Sequence, residues 1–392
     1  MHPDDTEAPV IRSDERGSFA RSVLAERHPA LIRKVRDAFP YGPEQHRALD
    51  TLLEHATHGV IEPLPPGAHD ASQWREWGRE YFGTSWFEVP FLWAESYFYR
   101  RLLEAVGYFR PGPWQGIDPF RPFKQAELHT EEADAELAAL DRLAPLPAAD
   151  QAQALLLSSL WGNRADLGFR ISAGGDGAAD ADSRLVADDS ARLWSLLTAG
   201  APATVCLVAD NAGRELLPDL ILLDHLLRHR HAERVVLHIK PYPYYVSDAT
   251  TSDVIDCLRR LRTARGTAAE AGERLWTAMR TGRLVLRAHP FSCAPLPYAD
   301  MPDDLRAEFA GAAVTVFKGD LNYRRLVGDR LWPPTASFAA RTAYFPGPVA
   351  ALRTLKSDVV VGLDASTEAA LVARHGQKWR TSGTHALIQV RR

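Results

Sequence analysis

Apolar residues between Ser18 and about Ala56 recur at intervals of three and four, as at Leu24, Leu31, Val35 and Phe39, and this spacing predicts helices broken at Pro40-Tyr-Gly-Pro43. A Pro/Gly-rich connector, Glu62-Pro-Leu-Pro-Pro-Gly67, leads to the aromatic stretch Trp86 to Arg101, whose helical part is expected to be buried on most sides. The proline-rich segment Phe109 to Gln125 has no period and reads as an extended loop crossing between layers. A helix with acidic residues near its start is predicted over Thr130 to Leu143, followed by the apolar run Leu155 to Asn163. Ser172 to Asp182 is low in complexity and reads as a surface loop. Beyond it the period changes. Ala203–Ala209, Arg234–Ile239, Arg283–Arg287 and Ala313–Phe317 are short β-branched runs separated by helical patterns, which is the alternation of a parallel sheet. The expected fold is a doubly wound three-layer α/β/α domain with a mostly parallel sheet, spanning 146–392, preceded by an N-terminal helical domain over 1–145.

Composition narrows the function classes. A chain of 392 residues exceeds the roughly 250–300 at which single cores stop growing. The 46 Lys+Arg against 50 Asp+Glu give a net charge of −4, so no chain-wide attraction to nucleic acid or to an anionic membrane is expected, and any anion site has to be local. Cys206, Cys257 and Cys293 form no CxxC pair and are too few for a disulfide framework, which fits a reducing compartment. The first residues are acidic where a secretory signal would be basic, and no apolar run approaches the roughly 18 residues of a membrane span, so a cytoplasmic location is expected. Arginine carries nearly all the positive charge. Of six lysines, three are Lys240, Lys318 and Lys356, each near a motif described next.

In open α/β sheets ligands sit beyond the carboxyl ends of the strands. The first run ends in Asp210-Asn-Ala-Gly-Arg-Glu215, the second in Lys240-Pro-Tyr-Pro-Tyr-Tyr-Val-Ser-Asp248, and the fourth in Lys318-Gly-Asp-Leu-Asn-Tyr-Arg324, each opening a helix. Asp210, Asn211 and Asp248 together make a hard oxygen set suited to Mg²⁺, Mn²⁺, Co²⁺ or Ni²⁺. Helix N-termini with Arg324 and Lys356 would neutralise a phosphate. Each feature also has a plain structural reading: Asp-Asn before a helix is ordinarily an N-cap and turn, Asp248-Ala-Thr and Asp320 could be caps, and Lys318 could snorkel. His225 and His229, four apart, could share a helix face, and with His231 and His238 they read as a His-rich surface helix end.

These motifs, with Ser159-Leu-Trp-Gly-Asn-Arg-Ala-Asp-Leu167, Arg353-Thr-Leu-Lys356 and Trp93-Ala-Glu-Ser-Tyr-Phe-Tyr-Arg-Arg101, resemble those of the damage-control phosphatases, metal-dependent carbohydrate-phosphate phosphatases first catalogued as a domain of unknown function. The pairing of Asp-Leu-Asn-Tyr-Arg with Arg-Thr-x-Lys resembles the sugar-phosphate branch. The resemblance implies that Asp210, Asn211 and Asp248 bind the metal, that Asp210 and Asp248 are catalytic, and that a small phosphorylated metabolite contacts these three together with Glu215, Asp320, Leu321, Asn322, Tyr323, Arg324 and Lys356. It implies hydrolysis of ketose or aldose phosphates such as fructose 1-phosphate or fructose 6-phosphate. Some similar proteins are named carboxyl methyltransferases; that chemistry would need an adenosyl pocket, and Gly174-Gly-Asp-Gly177, the single glycine-rich candidate, follows no β-branched strand. A non-catalytic sugar-phosphate-binding protein is the third reading, and it would not require Asp210 and Asp248 to meet.

Overall fold

A computed structural model describes residues 8–162 and 184–392. Seven strands form one sheet: β1 (Leu185–Asp188), β2 (Ala203–Val208), β3 (Ala232–His238), β4 (Leu284–Arg287), β5 (Val314–Lys318), β6 (Val349–Thr354) and β7 (Ala386–Arg391), in the order β1-β7-β6-β5-β2-β3-β4. Every neighbouring pair is parallel except β6 and β7. The four runs read as strands are β2 to β5, within a residue or two at each end. β1, β6 and β7 extend the sheet beyond them.

The central strands are buried on both faces, and their side chains alternate between two cores as the period of two requires. Val205 and Leu207 of β2, Val235 and Leu237 of β3 and Val316 of β5 face one core, closed by helices Ala148–Trp161, Leu216–Arg228, Thr251–Arg262 and Gly266–Arg280. Cys206, Val208, Val236 and Phe317 face the other, closed by Phe291, Phe309, Leu326, Phe345 and Trp379. The three-layer α/β/α expectation holds. Strand order reverses beside β2: β3 and β4 follow it on one side, and β5 lies on the other. The crevice at the carboxyl ends of β2 and β5 is therefore where such a sheet binds ligands.

The N-terminal helices His28–Ala38, Pro43–His58 and Phe91–Val106 enclose a third core of Leu49, Trp74, Trp86, Tyr97 and Phe98. Phe91–Val106 is buried at all but two positions, as its composition predicts. Its Arg100, 1% exposed, donates to Asp70 at 2.8 and 2.7 Å and to Glu104 at 3.0 Å. Burial alone would raise the Asp70 carboxyl, but Arg100 outweighs it and holds the group below its ordinary value. Arg100→Ala strands that carboxylate, and removing one partner of a buried pair costs about 3–5 kcal/mol. Urea unfolding at pH 7 is expected to show a loss of that size; a loss under about 1 kcal/mol would mean that water replaces the guanidinium.

One expectation fails here. Phe109–Gln125 is not an extended loop throughout, because Asp118 Oδ1 accepts the Phe120 N–H at 2.8 Å and Pro122 sits in the opening turn of a helix, Arg121–Leu128. Proline tolerates a first turn because its missing N–H would have no partner there. The predicted helix at Thr130 is present, with the Thr130 hydroxyl accepting from the Ala133 N–H at 3.2 Å. Gly174–Gly177, the Ser172–Asp182 stretch and Asn163 to Leu167 lie outside the described residues.

Candidate functional site

The backbone assembles the site before any side chain is considered. After β3 the chain runs through Pro241 and Pro243 and returns, so that Ser247 to Thr250 lies between the ends of β2 and β3. Asn211 and Asp248 form an antiparallel bridge there, and Lys240 and Thr250 a parallel one. Ala212 N–H donates to Ser247 O at 2.6 Å, Ala249 N–H to Asp210 O at 3.0 Å and Lys240 N–H to Ala249 O at 2.9 Å. Residues 35 to 39 positions apart in sequence thus share one short ladder.

None of the three candidate metal residues caps a helix. The N-cap of Thr251–Arg262 is Thr250, in a reciprocal capping box with Asp253, and the residue before Leu216–Arg228 is Glu215, which makes no side-chain cap bond. Lys318 precedes helix Gly319–Val327, and Asp320 lies within its first turn. The capping alternatives fail in each case.

Side chains then define the chemistry. Asn211 Nδ2 donates to Asp210 Oδ2 at 3.1 Å and to Glu215 Oε2 at 2.8 Å, which leaves its carbonyl oxygen as the atom for a cation. Asp248 Oδ2 accepts the Tyr245 N–H at 2.9 Å. Gly319, at φ 83°, passes so close that a Cβ there would lie 1.8 Å from Asp210 Oδ2, so the first residue of the helix after β5 has to be glycine. Gly162 similarly faces Glu215, whose Cγ would sit 2.6 Å from an added Cβ. Burial raises the Asp210 carboxyl well above its ordinary value, Glu215 and Asp248 add to the rise, and Lys356 and Lys240 oppose it. A buried carboxylate in excess of nearby cations, beside a second carboxylate and an amide oxygen, is a donor set that fits a hard divalent ion.

The cations divide by role. Lys356 is 41% exposed with Nζ 3.6 Å from Glu215 Oε1, and it faces the site. Lys240 is buried, its ammonium donating to Ser292 O at 3.0 Å over the Tyr244 ring, and burial lowers it despite Asp248. Lys318 is buried against Ser159 and Asp219, 2.9 Å from the Asp219 carboxylate.

In the Asp-Leu-Asn-Tyr-Arg run the side chains are engaged within the fold. Asp320 pairs with Arg353 at 2.7 Å and accepts from Ser357 Oγ at 3.0 Å. Leu321 packs with Tyr244 and Cys293. Asn322 Nδ2 donates to Ala209 O at 3.0 Å and to Lys318 O at 2.8 Å, tying the end of β2 to the end of β5. Tyr323 donates to Gln389 Oε1 at 2.9 Å, and Arg324 bonds Glu95 at 2.9 Å and Asp329 at 2.7 and 3.0 Å.

Lys124 is the site residue that sequence reading missed. It is 3% exposed on helix Arg121–Leu128, and its ammonium donates to Asp118 at 2.9 Å, Asp253 at 3.0 Å and the carbonyl of Asp248 at 2.8 Å. The scarcity of lysine was the available signal, since Lys124 is one of the six. The N-terminal helices also hold the returning loop: Tyr245 stacks on Tyr99 with ring centroids 4.6 Å apart, and its hydroxyl lies 3.2 Å from both Glu95 and Ser96.

His238 is not part of a surface helix end but the buried last residue of β3, packed against Phe309, while the other three candidate histidines sit away from these strand ends. His225, His229 and His231 cluster around Trp194 at the far end of helix Leu216–Arg228, and His225 is buried rather than exposed. Among the described residues no group of three or more His, Cys, Asp or Glu side chains could hold a metal ion. The three cysteines are buried free thiols, and no helix among the described residues is long and apolar enough to cross a membrane.

Comparison with known proteins follows the same outline. The family profile described as the damage-control phosphatase ARMT1-like domain matches residues 23–372. Relatives named damage-control phosphatase ARMT1 are 32% identical in Danio rerio, with 95% of this chain and 94% of that protein covered, and 31% in Mus musculus, with 98% of each. The Homo sapiens protein of that name is 30% identical over 95% of this chain and 96% of its own. A crystal structure of a DUF89 family protein from Pyrococcus horikoshii superposes with a TM-score of 0.46 at 15% identity, covering 85% of this chain and 92% of that one.

Proposed function

The chain belongs to the damage-control phosphatase ARMT1-like family, and from that premise we propose that it hydrolyses phosphate monoesters of small metabolites with a divalent ion held by Asp210, Asn211 and Asp248. The substrates in this reading are sugar phosphates, such as fructose 1-phosphate or fructose 6-phosphate, and the location is cytoplasmic. The observation that carries it is the Asn211–Asp248 bridge at the carboxyl end of β2, the strand beside which the order reverses, since a protein that only bound its ligand would have no need to bring a second carboxylate there.

The ion, as Mn²⁺, Ni²⁺, Co²⁺ or Mg²⁺, would polarise the phosphoryl group and lower the pKa of a water. The protein supplies the rest. Asp210 stands at the end of β2 with its carboxylate fixed by Asn211 and by the Gly319 backbone, placed to attack phosphorus or to take a proton from water. Lys356 brings a positive charge to the phosphate while Glu215 orients both Lys356 and the Asn211 amide. The Asp320 to Arg324 run acts in two ways: the N–H groups at the start of helix Gly319–Val327 meet phosphate oxygens, while Asn322 and Tyr323 hold that helix against the sheet and Arg324 ties it to Glu95 of helix Phe91–Val106.

The test is phosphate release over a panel of sugar phosphates and phosphorylated cofactor fragments, with Mn²⁺, Ni²⁺, Co²⁺ or Mg²⁺ and with chelator. Release is expected with metal, to vanish with chelator, and to fall by at least about 10³-fold in Asp248→Ala. Undiminished release by that variant would sink the site assignment.

A further inference from the structure

A cleft of about 440 Å3 opens beside the site, and nothing in the proposed hydrolysis uses it. Its walls are Leu31, Tyr99, Phe123 and Val246, with Arg27 and Lys34 among the lining residues. Ala212 and Ser247 also line it, and these are the neighbours in sequence of Asn211 and Asp248. Glu127, on the same wall, touches Gly213 and feels the charges of Glu215 and Lys356, so the cleft and the catalytic pocket share a border.

Arg27 and Lys34 are exposed and flank the buried stripe of their helix, His28, Leu31, Ile32 and Val35. Arg27, Ala30, Leu31 and Lys34 fall at i, i+3, i+4 and i+7, so they share one face of the helix. Here that face carries two full charges into a concavity. Arg27 ends a π-helical turn, Val23–Arg27, that immediately precedes the α-helical His28–Ala38, and such turns are frequent at functional sites. The third cation in the cleft, Lys124, is spent on Asp118 and Asp253. Arg27 stacks over Phe19 at 4.9 Å, and among the described residues neither Arg27 nor Lys34 has a carboxylate within ion-pair distance.

Building on the phosphatase reading, we propose that this cleft is a second subsite that receives an anionic group at the far end of the substrate, so that the preferred substrates are phosphorylated metabolites carrying a second phosphate or a carboxylate. The aromatic and aliphatic wall covers the connecting carbon chain, and Arg27 and Lys34 neutralise the distal anion. A neutral-tailed sugar monophosphate fills the catalytic pocket and leaves both cations unpaired.

The experiment compares fructose 1,6-bisphosphate, 6-phosphogluconate and fructose 6-phosphate as substrates of the wild-type chain and of the double variant Arg27→Gln/Lys34→Gln, with Mn²⁺. The wild type is expected to favour a bis-anion in kcat/KM. An exposed ion pair contributes up to about fivefold, so loss of both cations should lower the ratio of bis-anion to monophosphate by about fivefold to 20-fold, mostly through KM. The conservative pair Arg27→Lys/Lys34→Arg should retain most of that ratio. Preference for the bisphosphate over 6-phosphogluconate, or the reverse, identifies which anion the subsite takes. A ratio that the double variant leaves unchanged overturns the subsite while leaving the phosphatase reading intact. If no compound releases phosphate, the phosphatase reading fails instead, and calorimetric binding of fructose 1,6-bisphosphate against fructose 6-phosphate decides the subsite: equal affinities overturn it, and a preference lost in the double variant supports it.

Discussion

Asp210→Asn is expected to remove phosphate release, by about 10³-fold or more in kcat/KM, without weakening the metal-free fold. The substitution keeps the size and shape of the side chain, so it still fits against Gly319, where an added Cβ would stand 1.8 Å from Oδ2, and still leaves an oxygen for Asn211. It removes a charge that the metal-free fold holds at a cost, because burial, Glu215 and Asp248 together push this carboxyl well above its ordinary value. A carboxyl raised in the folded state keeps its proton there longer than in the unfolded chain. Its contribution is therefore favourable at low pH and is lost as pH rises from the ordinary carboxylate range through the raised folded value. Metal-free wild-type protein should thus lose stability across that window, and the Asn variant should lose less, because the other carboxyls that burial raises, Glu95, Asp118 and Asp219, titrate in both. Thermal melting in chelator at pH 5 and pH 7.5 measures both. Turnover retained by the variant, or a metal-free melting point several degrees below wild type at pH 7.5, would refute the assignment of Asp210 as the carboxylate held for metal and catalysis.

The sheet's middle was legible because β2, β3, β4 and β5 are β-branched runs bounded by helical patterns. β6 was not, because Val349-Ala-Ala-Leu-Arg-Thr354 has little β-branched character, and its strand identity comes from burial of Ala350 and Ala351 between two cores. The four-residue edge strand β1 carries no period to read. At the site, local sequence left capping and metal binding in balance, since Asp-Asn or Asp-Ala-Thr before a helix has the same form for either purpose. What separates them is the long-range Asn211–Asp248 bridge, which spacing cannot reveal, together with the local capping box that gives the helix start to Thr250 and Asp253. The cationic motifs were visible as motifs, yet the orientation of Arg324 toward Glu95 and Asp329 depends on a partner 229 positions away. The need for glycine at Gly319 is not legible locally, because it is set by the Asp210 carboxylate that approaches from the end of another strand.

Lys124→Met is expected to have the second-largest effect, and one that reaches both stability and metal use. Burial alone would lower the ammonium's pKa, but Asp118 and Asp253 overcome that and leave it raised, so the group is charged throughout the ordinary pH range. Without it, Asp118 and Asp253 remain as buried carboxylates, 11% and 3% exposed, with no cation between them. Such a loss costs about 3–5 kcal/mol. The carbonyl of Asp248 also loses the donor that fixes the returning loop. Groups that orient a ligating residue from behind are worth about 10–100-fold in metal affinity, so the variant should need correspondingly more Mn²⁺ for half-maximal phosphate release. A purely structural role would lower the urea midpoint and leave the metal titration unchanged. Comparison with Lys124→Arg separates charge from shape: the guanidinium can keep both carboxylates neutralised but is too broad to hold the position of the Asp248 carbonyl, so stability should recover more than metal affinity. An unchanged Mn²⁺ requirement in folded Lys124→Met would show that the returning loop is positioned by Tyr245 and the Asn211 bridge alone.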